Sequence, residues 1–159
     1  MDDPLATYLQ DHLAGAAHAI DLTERLRDGF RGQPLGEFAA SLAVEIRTDR
    51  NTLEEIARRT GVGPSTTKEW VSRLGHKMSE MKLGGGDGNQ LGTFESLEFL
   101  ELGIHGKWAL WKALDSISAT EPRLSGFDFE KLAASAQEQR GKVEEWRVAL
   151  AQTALRKMR

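Results

Sequence analysis

Four long stretches of this chain carry apolar residues at alternating steps of three and four, the spacing that lines up one face of an α-helix. Each of those faces is interrupted by a polar residue: His12, Asp49, Glu101 or His105, and Gln139. Burying such a group is costly unless it pairs with another polar group, a water molecule or a metal ion. The pattern therefore predicts a helical bundle with polar groups inside it, either as a hydrogen-bonded layer or as a metal site.

Helix-starting and helix-breaking residues divide the chain into four long predicted helices and one short one. The first helix begins at Asp3-Pro4, an N-cap candidate followed by proline, and ends before the turn at residues 29–36. The other helices are predicted over residues 35–58, about 65–83, 92–117 and 128–158. No stretch shows the alternation of period two that is typical of a strand.

The connections between these helices predict an all-α fold, a ferritin-like up-down four-helix bundle. The short turn makes the first two helices antiparallel neighbours. The helix at 65–83 would reach roughly 25 Å, enough to return the chain along the bundle. The helices over 35–58 and 92–117 would then run parallel, joined by one crossover that holds the short fifth helix, as in ferritin-like bundles. We expect a single domain over residues 1–159, with a flexible glycine-rich loop at 84–90.

The amino-acid composition excludes several kinds of site and of partner. The chain has no cysteine, which excludes disulfide bonds, thiolate nucleophiles and cysteine-bound zinc. Its net charge is −3, which argues against a protein whose whole surface binds nucleic acid. The acidic N-terminus lacks an apolar signal core, and no uncharged apolar run approaches the roughly 18 residues of a membrane span. We expect a soluble, cytoplasmic protein that does not engage a membrane.

The polar residues on the four long helices are predicted to meet near one level of the bundle. Counting 1.5 Å per residue from the helix ends places one candidate from each helix within about one turn of the others. Histidines and carboxylates from facing helices suit iron, manganese or zinc. The candidate metal ligands are His12, Asp49, Glu101 and His105, with Glu45 and Gln139 as neighbours.

The spacing of these candidates favours a hydrogen-bonded layer over a metal centre. Di-metal carboxylate bundles place a glutamate three residues before a histidine on two helices. Here those positions hold Leu9, Gly15, Arg73 and Leu102. We therefore expect no bound metal, and a buried network in which histidine and carboxylate side chains satisfy one another. A metal-dependent oxidoreductase of the di-iron or manganese carboxylate type is the alternative.

A second alternative lies in residues 52–74, TLEEIARRTGVGPSTTKEWVSRL, which resemble a helix-turn-helix. Residues 58–82 carry six basic and two acidic side chains, a local charge of +4. The longer break at Gly63-Pro64 and the acidic charge of the whole chain count against a DNA-binding regulator. We do not expect nucleic acid to be the partner.

Two further features of the 92–117 helix have more than one interpretation. Trp108 and Trp111 lie at helical spacing, which usually indicates core, although they could line a pocket between helices. Gly103 and Gly106 lie inside the helix, where glycine costs about 1 kcal/mol relative to alanine. Close approach of a neighbouring helix is the favoured reason, and room for a ligand or a partner backbone is the alternative. A homodimer is compatible with a spare apolar face, but no heptad seam outside the core is evident.

Two segments carry a family resemblance. YLQDHLAGAAHAIDLTERL at residues 8–26 and ESLEFLELGIHGKWALWKAL at 95–114 resemble small bacterial ferritin-like proteins of unassigned function. The resemblance covers about residues 5–156 and implies a four-helix bundle with a short additional helix. It does not imply iron storage or oxidation, because the family's metal motif is not matched at any histidine. Our leading prediction is a non-catalytic binding or interaction module with a buried polar core layer.

Overall fold

A computed structural model of the chain describes residues 2–63 and 89–157. Within these residues it contains four long α-helices, one 3-10 helix and no strand, which confirms the all-α prediction. The predicted short helix at 65–83 and most of the predicted loop at 84–90 lie outside the described residues. The elements are α1 (Pro4–Gly29), α2 (Pro34–Arg59), α3 (Gln90–Ile117), the 3-10 helix (Pro122–Leu124) and α4 (Phe129–Ala154).

Side-chain caps explain where three of the helices begin. The carboxylate of Asp3 accepts a hydrogen bond from the N–H of Leu5 at 3.0 Å, immediately before Pro4, as predicted. Asn89 and Asp128 accept hydrogen bonds from first-turn N–H groups of α3 and α4 in the same way. Each cap satisfies a backbone donor that the first turn of a helix leaves unpaired, so these starts are local properties of the sequence.

A tight turn joins α1 and α2 into an antiparallel hairpin. It occupies residues 30–33 and includes Gly32 at a φ of 77°, a conformation that favours glycine. A Cβ atom at Gly36 would overlap the carbonyl oxygen of Phe30. Only glycine therefore lets α2 begin this close to the end of α1.

The helices α3 and α4 form a second hairpin, and the two hairpins pack against each other. The helix α1 contacts α3, and α2 contacts α4. Arg59 at the end of α2 donates a hydrogen bond at 2.8 Å to the carbonyl oxygen of Ser125, which follows the end of α3. Halfway along, Asp49 of α2 contacts Lys107 of α3. These two contacts show that α2 and α3 run parallel, with their C-terminal ends at the same end of the bundle.

All four helices supply apolar side chains to one core between the hairpins. None of the described helices is long and apolar enough to cross a membrane. The largest fully buried apolar side chains include Leu9, Leu22, Leu42, Ile56, Leu97, Leu100, Ile104, Leu110, Trp111 and Leu114.

Candidate functional site

The main polar feature inside the bundle is a ring of three side chains: Asp49 from α2, Lys107 from α3 and Gln139 from α4. The Lys107 ammonium donates to Oδ2 of Asp49 at 2.5 Å and to Oε1 of Gln139. The Gln139 amide closes the ring by donating to Oδ2 of Asp49 at 3.0 Å. Asp49 is 8% exposed and Gln139 1%. Each side chain thus contacts the other two, and the ring joins three helices at one level.

The ring holds a buried positive charge. Burial lowers the pKa of Lys107 below its ordinary value, and the charges of Asp49 and then Glu45 counteract that effect. Taking an ammonium group out of water is costly unless an anion and further acceptors replace the lost hydration. Asp49 supplies the anion, and Gln139 supplies the second acceptor.

Two of the predicted metal ligands lie away from this ring. The carboxylate of Glu101 accepts a hydrogen bond at 2.8 Å from Arg140 of α4. His105 is exposed, and its ring stacks on Trp108 with 5.3 Å between centroids. Its predicted place in the inward layer is wrong: Ile104 is buried, and the next residue on a helix is turned by about 100°.

The described side chains at this level do not fit a metal ion well. The Lys107 ammonium already supplies the positive charge between Asp49 and Gln139. Glu101 is held by an arginine. Across residues 2–63 and 89–157, no three histidine, aspartate or glutamate side chains are grouped as metal ligands would be. The arrangement favours a hydrogen-bonded layer.

The sequence located two members of the ring and missed the third. Asp49 and Gln139 were predicted to face inward at the same level, and the structure confirms both. Lys107 was missed because lysine is rarely buried, and the predicted inward face used Trp108 in its place. A signal was present, since Lys107 interrupts an apolar series with steps of four and three. That series is Leu100, Ile104, Trp111 and Leu114.

A cavity of about 80 Å³ lies next to the ring, between α1, α2 and α3. At roughly 30 Å³ per liquid water molecule, it has room for two or three waters or a ligand of a few heavy atoms. Its polar lining residues are His12, Asp49, Arg50 and Lys107. The rest of its wall is Gly15, Ala16, Ala19, Ile46, Leu53, Gly103, Ile104, Leu110 and Trp111. The cavity wall is therefore mostly apolar, and two of its polar residues, Asp49 and Lys107, belong to the ring.

Two residues that line the cavity, Trp111 and Arg50, each have a buried nitrogen donor without an acceptor in the described structure: the indole Nε1 and the guanidinium Nε. Trp111 is fully buried, yet its indole Nε1 has no hydrogen-bond partner within the described structure. A buried indole N–H normally has a partner, and leaving such a group unpaired costs about 1–3 kcal/mol. Trp111 therefore belongs both to the core and to the cavity wall, and its indole N–H has no acceptor in the described structure.

The remaining titratable groups of the wall add little net charge. Burial lowers the pKa of His12 below its ordinary value of 6.5, with a smaller opposing effect from Asp11, so its imidazole is neutral at pH 7. The Nε atom of Arg50 lies 3.0 Å from a carboxylate oxygen of Glu54. With Lys107 paired to Asp49, each charge at the wall has a counter-charge.

Glycines lie at the outer side of the cavity. Gly15 of α1 and Gly103 of α3 both line it, and a Cβ atom added at either would meet no atom within 4 Å. The same holds for Gly106. Within residues 2–63 and 89–157, no neighbouring helix makes the close approach that was predicted for Gly103 and Gly106.

Only part of the helix-turn-helix-like segment lies within the described residues. There α2 continues to Arg59, and Gly61 follows with a φ of 82°. The guanidinium of Arg59 lies over the ring of Phe127, 4.6 Å from its centroid, and binds the carbonyl oxygen of Ser125. One basic residue of the predicted DNA-binding patch is thus engaged within the fold, and DNA binding stays a prediction.

The chain matches no protein-family model, and neither the curated proteins nor the solved structures contain a match to it. Function is therefore inferred from the ring, the cavity and the surfaces of the helices.

Proposed function

We propose that this chain is a non-catalytic binding module on a ferritin-like four-helix bundle, and that it holds a small uncharged ligand in the cavity beside the ring. One observation carries the proposal: Trp111 lines a cavity of about 80 Å³, and its buried indole N–H is unpaired in the described structure. A ligand acceptor at that N–H would offset the cost of leaving the donor unpaired.

The lining indicates the chemistry of the ligand. Most of the wall is apolar, which favours a compact apolar body. Lys107 is paired with Asp49, and Arg50 lies beside Glu54, so a charged ligand would lose its hydration without meeting a free counter-charge. A carbonyl or hydroxyl oxygen would instead accept a hydrogen bond from the indole.

The state of the polar groups favours binding over catalysis. The Oδ2 atom of Asp49 already accepts from Lys107 and Gln139, which restrains it from acting as a general base. The Lys107 ammonium is held by the same two partners, which restrains it from acting as a nucleophile. The ring therefore forms a fixed part of the cavity wall.

The helix orientations support the ferritin-like part of the proposal. The helices α2 and α3 are parallel, so residues 60–89 connect one end of the bundle to the other. A single crossover between two antiparallel hairpins is the connectivity of ferritin-like bundles. Under this proposal, a bundle with ferritin-like connectivity holds a small ligand beside the ring.

The proposal is tested by recording the indole N–H resonances of the four tryptophans by NMR. Millimolar 2-butanone is expected to shift the Trp111 resonance, which is assigned by its loss in Trp111→Phe. The reason is that the ketone oxygen accepts from the indole. The probe 2-methylbut-1-ene has the same shape without the acceptor oxygen and is expected to produce a smaller shift.

A cavity-filling variant provides the control. Ala16 lines the cavity, so Ala16→Met should remove the response to 2-butanone while the protein stays folded. Ala17 is not among the lining residues, and Ala17→Met should keep the response. A wild-type Trp111 resonance that is insensitive to both probes would contradict the proposed function.

A further inference from the structure

One face of α3 is apolar but exposed. Phe99 is 46% and Leu102 60% exposed to solvent. The same face continues through Gly106, Ala109 and Ala113. These five residues follow alternating steps of three and four, the spacing of a coiled-coil seam, and are called the α3 seam. The apolar pattern alone did not reveal this seam, because three of its five residues are glycine or alanine.

The middle of the α3 seam holds small residues, and packing among the described residues does not require them. A Cβ atom at Gly106, or at the adjacent Gly103, would meet no atom within 4 Å. Glycine inside a helix is destabilising relative to alanine. The small residues leave space in which a helix from outside the chain can approach the α3 backbone closely.

We propose that the α3 seam pairs antiparallel with the α3 seam of a second copy of this chain, around a two-fold axis near residues 104–105. That axis sets Phe99 of one copy against Ala109 of the other, and Leu102 against Gly106. Large side chains then meet small ones along the contact, as close packing of two helices requires.

The charged residues beside the α3 seam also favour the antiparallel arrangement. Glu98 and Lys112 are fourteen residues apart, two heptads, so they lie on the same edge of the seam. The side chain of Glu98 is 48% exposed although it lies 3.2 Å from Arg147, and Lys112 is exposed. In the antiparallel pair, Glu98 of each copy faces Lys112 of the other. In a parallel pair, this edge would face the opposite edge of the partner helix, where Gly103 and Ile117 lie, so neither charge would meet an opposite charge.

The first test is the oligomeric state of the full chain, measured by sedimentation equilibrium across the micromolar range. A reversible monomer–dimer equilibrium is expected. Leu102→Glu should make the chain monomeric, because it places a carboxylate in the seam. Val44 is 63% exposed on α2, and Val44→Glu is the matched control that should keep the dimer.

The second test separates antiparallel from parallel pairing. Glu98→Lys alone or Lys112→Glu alone brings like charges together at two places and should raise the dimer dissociation constant roughly ten-fold. Mixing the two variants restores opposite charges at both places, so the mixed dimer should form more tightly than either homodimer. A wild-type chain that stays monomeric, or single variants that dimerise like the wild type, would overturn the proposal.

Discussion

The ammonium nitrogen of Lys107 lies 2.5 Å from Oδ2 of Asp49, in the interior between α2 and α3. Gln139 of α4 hydrogen-bonds to both groups. In a buried ion pair, the Coulombic attraction is largely offset by the lost hydration of both ions. The pair therefore contributes little net stability, and its main effect is to fix three helices in one relative register.

Removing the cation alone should be strongly destabilising. Lys107→Met leaves the Asp49 carboxylate buried without its counter-charge, and we expect a loss of about 3–5 kcal/mol in the free energy of unfolding. The triple variant Asp49→Leu, Lys107→Met, Gln139→Leu removes all three polar groups together. It should unfold within about 2 kcal/mol of the wild type, because no unpaired group remains.

Urea denaturation followed by circular dichroism measures both effects. Lys131→Met, at an exposed lysine in the first turn of α4, is the control and should change the free energy of unfolding by less than about 0.5 kcal/mol. Equal stability of Lys107→Met and the wild type would show that the ring is not formed in solution.

The α1–α2 turn should tolerate no side chain at Gly36. In Gly36→Ala the new Cβ would overlap the carbonyl oxygen of Phe30, and we expect a loss of about 1–3 kcal/mol or more. Gly141→Ala is the matched control in α4, where a Cβ meets no atom within 4 Å. That variant should gain up to about 1 kcal/mol from helix propensity. Thermal unfolding of the two variants should therefore move in opposite directions.

The carboxyl group of Glu121 should titrate in strong acid. Arg123 donates hydrogen bonds to both of its oxygens, each at 2.8 Å, and these lower the pKa of Glu121 to about 2. A lowered folded-state pKa means that the contact stabilises the fold above the ordinary glutamate pKa and is lost as the pH falls towards 2. In Arg123→Gln, an NMR titration should find the pKa of Glu121 raised towards the ordinary range, and the backbone N–H of residue 123, which also donates to Glu121, should keep part of the lowering. An unchanged midpoint would show that this contact is absent.

Mild acid should weaken the fold through His12. Burial keeps its pKa in the folded state below the ordinary value of 6.5. As the pH falls below that value, the unfolded chain takes up the proton first, so the free energy of unfolding decreases. His12→Gln should flatten this decrease between about pH 7 and 5. Part of the decrease in the free energy of unfolding should persist in His12→Gln, because burial also lowers the pKa of His18. Equal slopes for the variant and the wild type would contradict the burial of His12.

The fold could be predicted from the sequence where it depends on interactions between residues that are close together along the chain. The predicted helices at 35–58 and 92–117 agree with α2 and α3 to within two residues at each end. Asp3 caps α1 as predicted, because a cap needs only a side chain and the N–H groups of the next turn. The predicted helix at 65–83 remains a prediction.

The polar layer could be predicted from the sequence only in part. Its existence followed from polar residues on apolar helix faces, and Asp49 and Gln139 were placed correctly. The third member was not, since adjacent residues differ by about 100° around a helix and a small error in phase exchanges inward and outward positions. Trp108 was placed inward instead of its neighbour Lys107 in this way, and His105 instead of its neighbour Ile104.

The sequence by itself determined where the described helices begin, and that polar groups lie between them, because caps and apolar periodicity act within a few residues; the last helix ends at Ala154 and not at the predicted residue 158. Only the tertiary structure decided which polar groups meet. An ammonium group is stable in the interior only where other helices bring acceptors to it, and Asp49 and Gln139 do so for Lys107 from two different helices. That partnership depends on helix rotation and register, which no local pattern specifies.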